Sequence, residues 1–129
     1  MGQELKQLIS DERRLDMLTG ALEGGSNYWY FISNKMCDKI FAHTIELHGQ
    51  PFVDRMWKYL KDGHFVNVRD LEDIPTVLGS LKYSTMTERE YLMLDKFPNH
   101  FADILAEKDD AVTADVWFQM VLMKNVVYG

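Results

Sequence analysis

The chain has 129 residues, 47% of them hydrophobic, which is enough apolar material for one domain with its own core and excludes a disordered chain. A single cysteine, Cys37, excludes an internal disulfide and any cluster of cysteine metal ligands, and makes a reducing compartment the expected setting. The formal net charge is −6, with eight Lys/Arg against nine Asp/Glu over residues 1–62 and six against eleven over residues 63–129; that sign disfavours a protein that grips a phosphate backbone, so direct nucleic-acid binding is not expected.

No apolar run approaches the ~18 residues of a membrane span, and the polar start MGQELKQ has neither the pattern of a signal peptide nor that of a lipidation signal. Residues 3–23 carry Leu5, Leu8, Leu15, Leu18, Ala21 and Leu22 at helical spacing. They predict one helix, or two if Ser10 caps the second. Gly24-Gly25 ends this region, through the left-handed conformation that helix C-termini favour. Tyr28, Trp29, Tyr30 and Phe31 then read as a short strand or an extended entry to the next helix. That helix is placed over Asn34–His48, with Met36, Ile40, Phe41 and Thr44 or Ile45 inward and Gly49 closing it. Pro51 opens another, burying Phe52, Val53, Met56, Trp57 and Leu60 and leaving at Asp62-Gly63.

Phe65–Arg69 reads as a strand, Leu71–Thr76 as a loop, and Val77–Tyr83 as an antiparallel return weakened by Gly79. Thr87 with Glu90 fits a capping box for a helix burying Tyr91, Leu94 and Met93 or Phe97. Pro98 interrupts it, and Phe101, Ile104 and Leu105 continue on a further helix. Thr113–Met123 is apolar on nearly every side, which suits a helix through the middle of a domain. A buried strand is the competing reading. Thr113 as N-cap and Asp115 in the first turn favour the helix. The chain thus predicts one compact α+β domain over residues 1–129, mostly helical, with a small antiparallel sheet and a buried C-terminal helix. The tail after that helix is expected to pair as a strand with Tyr28–Ile32, placing Val126 and Tyr128 against Trp29 or Phe31.

Two stretches carry a resemblance. Leu22–Trp29 (LEGGSNYW) and Asp109–Gln119 (DDAVTADVWFQ), with the terminal Val126-Val127-Tyr128-Gly129, resemble the signature ends of a family of small phage and prophage proteins, and Pro98–Leu105 is similar to the segment between them. Met123-Lys124-Asn125 departs from that pattern, so no carboxylate role is carried to this corner. The resemblance implies a phage or mobile-element origin and action in the cytoplasm of a bacterial host. It implies no particular reaction.

Several residues are candidates for chemistry. Glu23, Gly24, Gly25, Ser26 and Asn27 form a turn whose main-chain amides could cradle an anion, although the Lys of a phosphate-binding loop is missing; a helix stop is the plainer reading. Tyr28 and Trp29 suit stacking on a ligand ring, anchoring of a partner protein, or ordinary packing. Gln119, alone in an apolar helix, needs partners for its amide, and the backbone of the Gly24-Gly25 turn is the expected one. His100, Asp103, Asp109, Asp110 and Asp115 are the densest set of acid/base or metal-ligating types. No paired-ligand spacing accompanies them, so neither metal nor cofactor is expected. His43, His48 and His64 stand isolated, and Cys37 suits a small core position.

Three functions follow as expectations. The first is a phage-encoded accessory protein that binds a host defence or regulatory protein. The second is a binder of a small nucleotide-like ligand at the Gly-Gly-Ser-Asn turn. The third, a small metal-dependent enzyme, requires His100 and the aspartates to converge.

Overall fold

In the computed structural model, which describes residues 5–129, the chain folds as α1 (Asp11–Gly20), a π-helical turn (Ala21–Gly25), β1 (Tyr30–Phe31), α2 (Asn34–His43), a 3-10 turn (Ile45–Leu47), α3 (Phe52–Lys61), β2 (Val66–Asp70), β3 (Asp73–Leu81), α4 (Tyr83–Lys96), α5 (Pro98–Leu105) and α6 (Ala111–Met123). The three strands form one antiparallel sheet in the order β1-β2-β3. This is the expected α+β architecture. No helix among the described residues is long and apolar enough to cross a membrane.

The centre is α6. Every residue from Thr113 to Leu122 is buried, and α1, the π-helical turn, α4, α5 and β3 all pack against it. Its apolar side chains (Val116, Trp117, Phe118, Met120, Val121 and Leu122) are each worth roughly 1.5–3 kcal/mol of burial. Helix formation therefore rests on tertiary packing more than on propensity. Asp110, not Thr113, is the N-cap: its carboxylate accepts from the Thr113 amide at 2.9 Å, and that hydrogen bond comes first among the causes holding its pKa below the ordinary value. The sequence offers two capping residues three apart, and the more N-terminal one wins because Ala111 and Val112 are compatible with the first turn.

Other elements differ from expectation for identifiable reasons. Residues 5–10 are not helical, and Ser10 caps α1 by accepting from the Arg13 amide; the start of the expected helix at residues 3 and 4 lies outside the described residues. Gly24 and Gly25 do end the helical region, but neither has a positive φ. Gly25 is required by proximity: a methyl there would lie 2.2 Å from the Ala111 carbonyl oxygen. Helix α2 stops at His43, leaving Ile45 74% exposed and Phe41 at the surface, while Thr44 is buried. Strand β3 begins at Asp73, inside the expected loop, with register shifts beside Arg69; as β3 is an edge strand, Pro75 costs no ladder bond.

Thr87 is no cap, because α4 already starts at Tyr83. Its hydroxyl accepts from Arg14 at 3.1 Å. Arg14 also meets the Glu90 carboxylate twice through Nε, at 2.9 and 3.1 Å, while Trp117 Nε1 donates to the same carboxylate at 2.8 Å. These three side chains are buried. Burial pushes the Glu90 carboxyl above its ordinary value, against the opposing pull of Arg14 and Trp117. On α4 the inward residues are thus Met86, Glu90 and Met93, and Leu94 faces outward.

Candidate functional site

The segment after the π-helical turn and the first turns of α6 meet at one carboxylate. Asp115 Oδ1 accepts from Ser26 Oγ at 2.6 Å and Trp29 Nε1 at 2.7 Å; Oδ2 accepts from Tyr28 Oη at 3.1 Å and Gln119 Nε2 at 3.0 Å. Two carboxylate oxygens offer about four lone-pair sites, so the group is saturated. Asp115 and Gln119 meet because they lie one turn apart on α6, where residues four apart share a face.

Gln119 is fully buried and uses its whole amide. Its Oε1 accepts from the amides of Val127 at 2.8 Å and Tyr128 at 2.9 Å, and its Nε2 donates to the Tyr128 carbonyl at 3.0 Å as well as to Asp115. The expected partner, the Gly24-Gly25 backbone, is replaced by the chain after α6. That segment is turned back by Lys124, whose φ of 65° is left-handed. The tail is not a strand: β1 pairs with β2 instead. A glutamine amide presents one donor and one acceptor edge, and here it substitutes for a neighbouring strand. The expected contact of Tyr128 with Trp29 does hold. Tyr128 lies flat on Trp29, ring centroids 5.0 Å apart and planes 7° apart, and its hydroxyl reaches Asp70 at 3.3 Å.

Outside this network lies a groove of about 420 Å³, lined by Gly24, Gly25, Tyr28, Ala111, Val112, Asp115, Val116, Val126, Tyr128 and Gly129. Its rim is apolar and open: Tyr28 is 48% and Val112 59% exposed. The depth of the groove follows from the glycines, since the turn and the start of α6 approach too closely for a side chain at Gly25. Burial first, then the neighbouring Asp115 charge, raises the Tyr28 phenol pKa; burial and Asp70 do the same for Tyr128. Both hydroxyls are therefore protonated donors at neutral pH, not bases.

The candidate binding residues of the turn, the aromatics after it and Gln119 divide by position. Gly24, Gly25 and Tyr28 line the groove. Ser26, Trp29 and Gln119 are buried behind it, holding Asp115. Glu23 and Asn27 are exposed and belong to neither. Asp115, a candidate in the sequence only as part of the His100 set, belongs here instead. Its signal was present: two polar side chains one turn apart in an otherwise apolar helix, together able to satisfy each other.

The His100 collection does not converge. His100 Nδ1 is 2.8 Å from Thr113 Oγ1, Asp110 caps α6, Asp109 pairs with Arg13, and Asp115 belongs to the network above. Among the described residues no group of three or more His, Cys, Asp or Glu is placed to hold a metal ion. His43 and His64 are not isolated: their rings lie 4.4 Å apart, and His43 meets Asp62 at 2.8 Å. Cys37 is half-buried, and burial, followed by the nearby Asp38 charge, pushes its thiol pKa up, away from nucleophile chemistry. Comparison with protein-family models, curated proteins and solved structures yields no match.

Proposed function

We propose that this chain is a phage- or prophage-encoded accessory protein that acts by binding a bacterial host protein, with the groove beside the Gly24-Gly25 turn as its contact surface. The observation that carries this reading is the combination of an open apolar rim, Tyr28 and Val112, with a rigid floor whose one carboxylate is already saturated. Such a groove offers shape and apolar area to an inserted side chain, and aromatic anchors are what interfaces use most. The origin rests on the resemblance of the two end stretches.

The nucleotide-binding alternative ranks behind it. A volume of about 420 Å³ falls within the range of small-molecule sites. Yet no Lys or Arg lines the groove, and Asp115 would repel a phosphate.

The test is affinity capture from bacterial lysate by the intact chain, by Val112→Glu and by Tyr28→Ala, with melting temperatures measured alongside. A protein held by the parent and lost with both variants, at unchanged melting temperature, supports the reading. Capture that Val112→Glu leaves undiminished, or no capture by the parent, overturns it.

A further inference from the structure

A second recess lies between α2 and β2. It has a volume of about 190 Å³ and is lined by Ser33, Lys35, Met36, Lys39, Asn67 and Arg69. Half of those residues are cationic and none is acidic, in a chain whose net charge is −6. Among the described residues the ion-paired Lys and Arg are Arg13, Arg14, Lys58 and Lys61; what sets the recess apart is that three of the unpaired ones line one concavity. Among the described residues, Lys35, Lys39 and Arg69 have no carboxylate partner within 4.0 Å.

The fold builds this concentration from two elements. Lys35 and Lys39 are one turn apart on α2 and so share a face. Asn67 and Arg69 are alternate residues of β2 and so project from the same side of the sheet. Both are held. Asn67 Oδ1 accepts from Ser80 Oγ at 2.5 Å, which leaves its Nδ2 as the donor for the recess. Arg69 Nη1 donates to the carbonyls of Ile74 and Pro75, both at 3.2 Å, which fixes the guanidinium while leaving Nε and Nη2 uncommitted. Like charges gathered in this way repel one another unless an anion sits among them.

We propose that the recess between α2 and β2 binds the phosphate group of a small phosphomonoester, held by Lys35, Lys39 and Arg69 with Asn67 as a neutral donor. A phosphomonoester carries a charge near −2 at neutral pH, which three cations match with one to spare. The arginine fork supplies the planar, paired donors that tetrahedral oxyanions favour. The size of the recess suits one phosphate and a small substituent, and the net negative charge of the chain opposes a long polyanion such as nucleic acid. The site is separate from the groove and does not depend on its role.

The experiment is a titration of the full chain followed by backbone amide NMR, at ionic strength fixed with chloride, using inorganic phosphate, glycerol phosphate and a short DNA duplex. Saturable shifts at Ser33, Lys35 and Asn67 are expected with the first two, and Lys39→Gln and Arg69→Gln should each weaken binding about tenfold, the effect of one charge-assisted contact. Lys39 is exposed on α2, so its variant folds even if Arg69→Gln disturbs the hairpin. Shifts no larger than those produced by chloride, or affinities unchanged in Lys39→Gln, would overturn the proposal. So would a DNA duplex that binds through these residues more tightly than glycerol phosphate.

Discussion

Replacing Gln119 with leucine separates the two kinds of work its amide performs. The substitution conserves volume approximately and raises apolarity at a position with no solvent exposure, so burial alone would predict a neutral or stabilising change. It orphans the Val127 and Tyr128 amides and the Tyr128 carbonyl, while Asp115 Oδ2 loses one of its two donors and keeps Tyr28. If the tail stayed in place, each orphaned group would cost about 1–3 kcal/mol where water is excluded. The tail has an escape, however: it can detach and hydrate. Detachment forfeits the Tyr128–Trp29 stack, about 0.5–1.5 kcal/mol beyond area. It also forfeits the half-burial of Val126 and Tyr128, roughly half of the 1.5–3 kcal/mol each would have if fully buried. The smaller loss prevails, so detachment sets a ceiling near 2–4 kcal/mol, or about 7–15 °C in melting temperature for a domain of this size. Urea and thermal unfolding of Gln119→Leu beside the parent measure it. A second background sharpens the result: in a chain lacking Val126–Gly129 the same substitution should cost far less, since the two changes remove one shared contact. An unchanged or higher midpoint, or equal costs in both backgrounds, would refute the reasoning.

Two further predictions follow from particular atoms. Gly25→Ala should destabilise by several kcal/mol, on the order of the largest single-site effects, because its methyl meets the Ala111 carbonyl oxygen at 2.2 Å; Gly24→Ala, with nothing within 4 Å, should be neutral or gain up to about 1 kcal/mol from the unfolded state, and thermal melts of the two should differ accordingly. For Asp11, burial acts to raise the carboxyl pKa, but hydrogen bonds from Lys61, Tyr83 and Gln7 outweigh it and hold the group below its ordinary value. The folded state therefore binds this proton more weakly than the unfolded state, and its contribution is present at neutral pH and lost as pH falls through the ordinary carboxylate range to the depressed value. The stability gap between the parent and Asp11→Asn should shrink as pH is lowered over that window, and a gap constant with pH in urea titrations would contradict it.

Strong local signals carried most of the fold. The all-round apolarity of Val116–Met123 marks the central helix, Gly63 takes the positive φ of an exit from α3, and the two Val-containing segments pair as a hairpin. What failed shares one cause: a local pattern was outvoted by tertiary partners. Thr87 and Glu90 satisfy a capping box in spacing, but both are claimed by Arg14, a contact across more than seventy residues that no local window contains. The helical region ends at the glycine pair as expected, but Gly25 is required by the close approach of α6 and not by a left-handed φ. At the groove, Tyr28 and the glycines were legible because aromatics and glycines stand out. The partners of Asp115 were not legible: its position in a first turn explains the charge, and nothing local to α6 points to Ser26, Tyr28 and Trp29. The cationic recess was invisible because α2 and β2 supply its charges from positions that are unremarkable in each segment alone.

The position of α6 in the chain bears on how the protein comes to be folded. Its core helix is made after the elements that pack on it, which come from residues before Ala111. Contacts such as Ser26–Asp115 and Arg13–Asp109 span separations of 89 and 96 residues. During synthesis at about 5–20 residues per second, the apolar face of α1 would wait roughly 5–20 s for α6, and those of α4 and α5 roughly 1–5 s. Long-range closure of this kind also slows folding once α6 has been made. The nascent chain is thus most vulnerable to aggregation and to chaperone capture just before α6 emerges, and a synonymous pause placed upstream of Asp110 would lengthen that interval without altering a single contact of the native state.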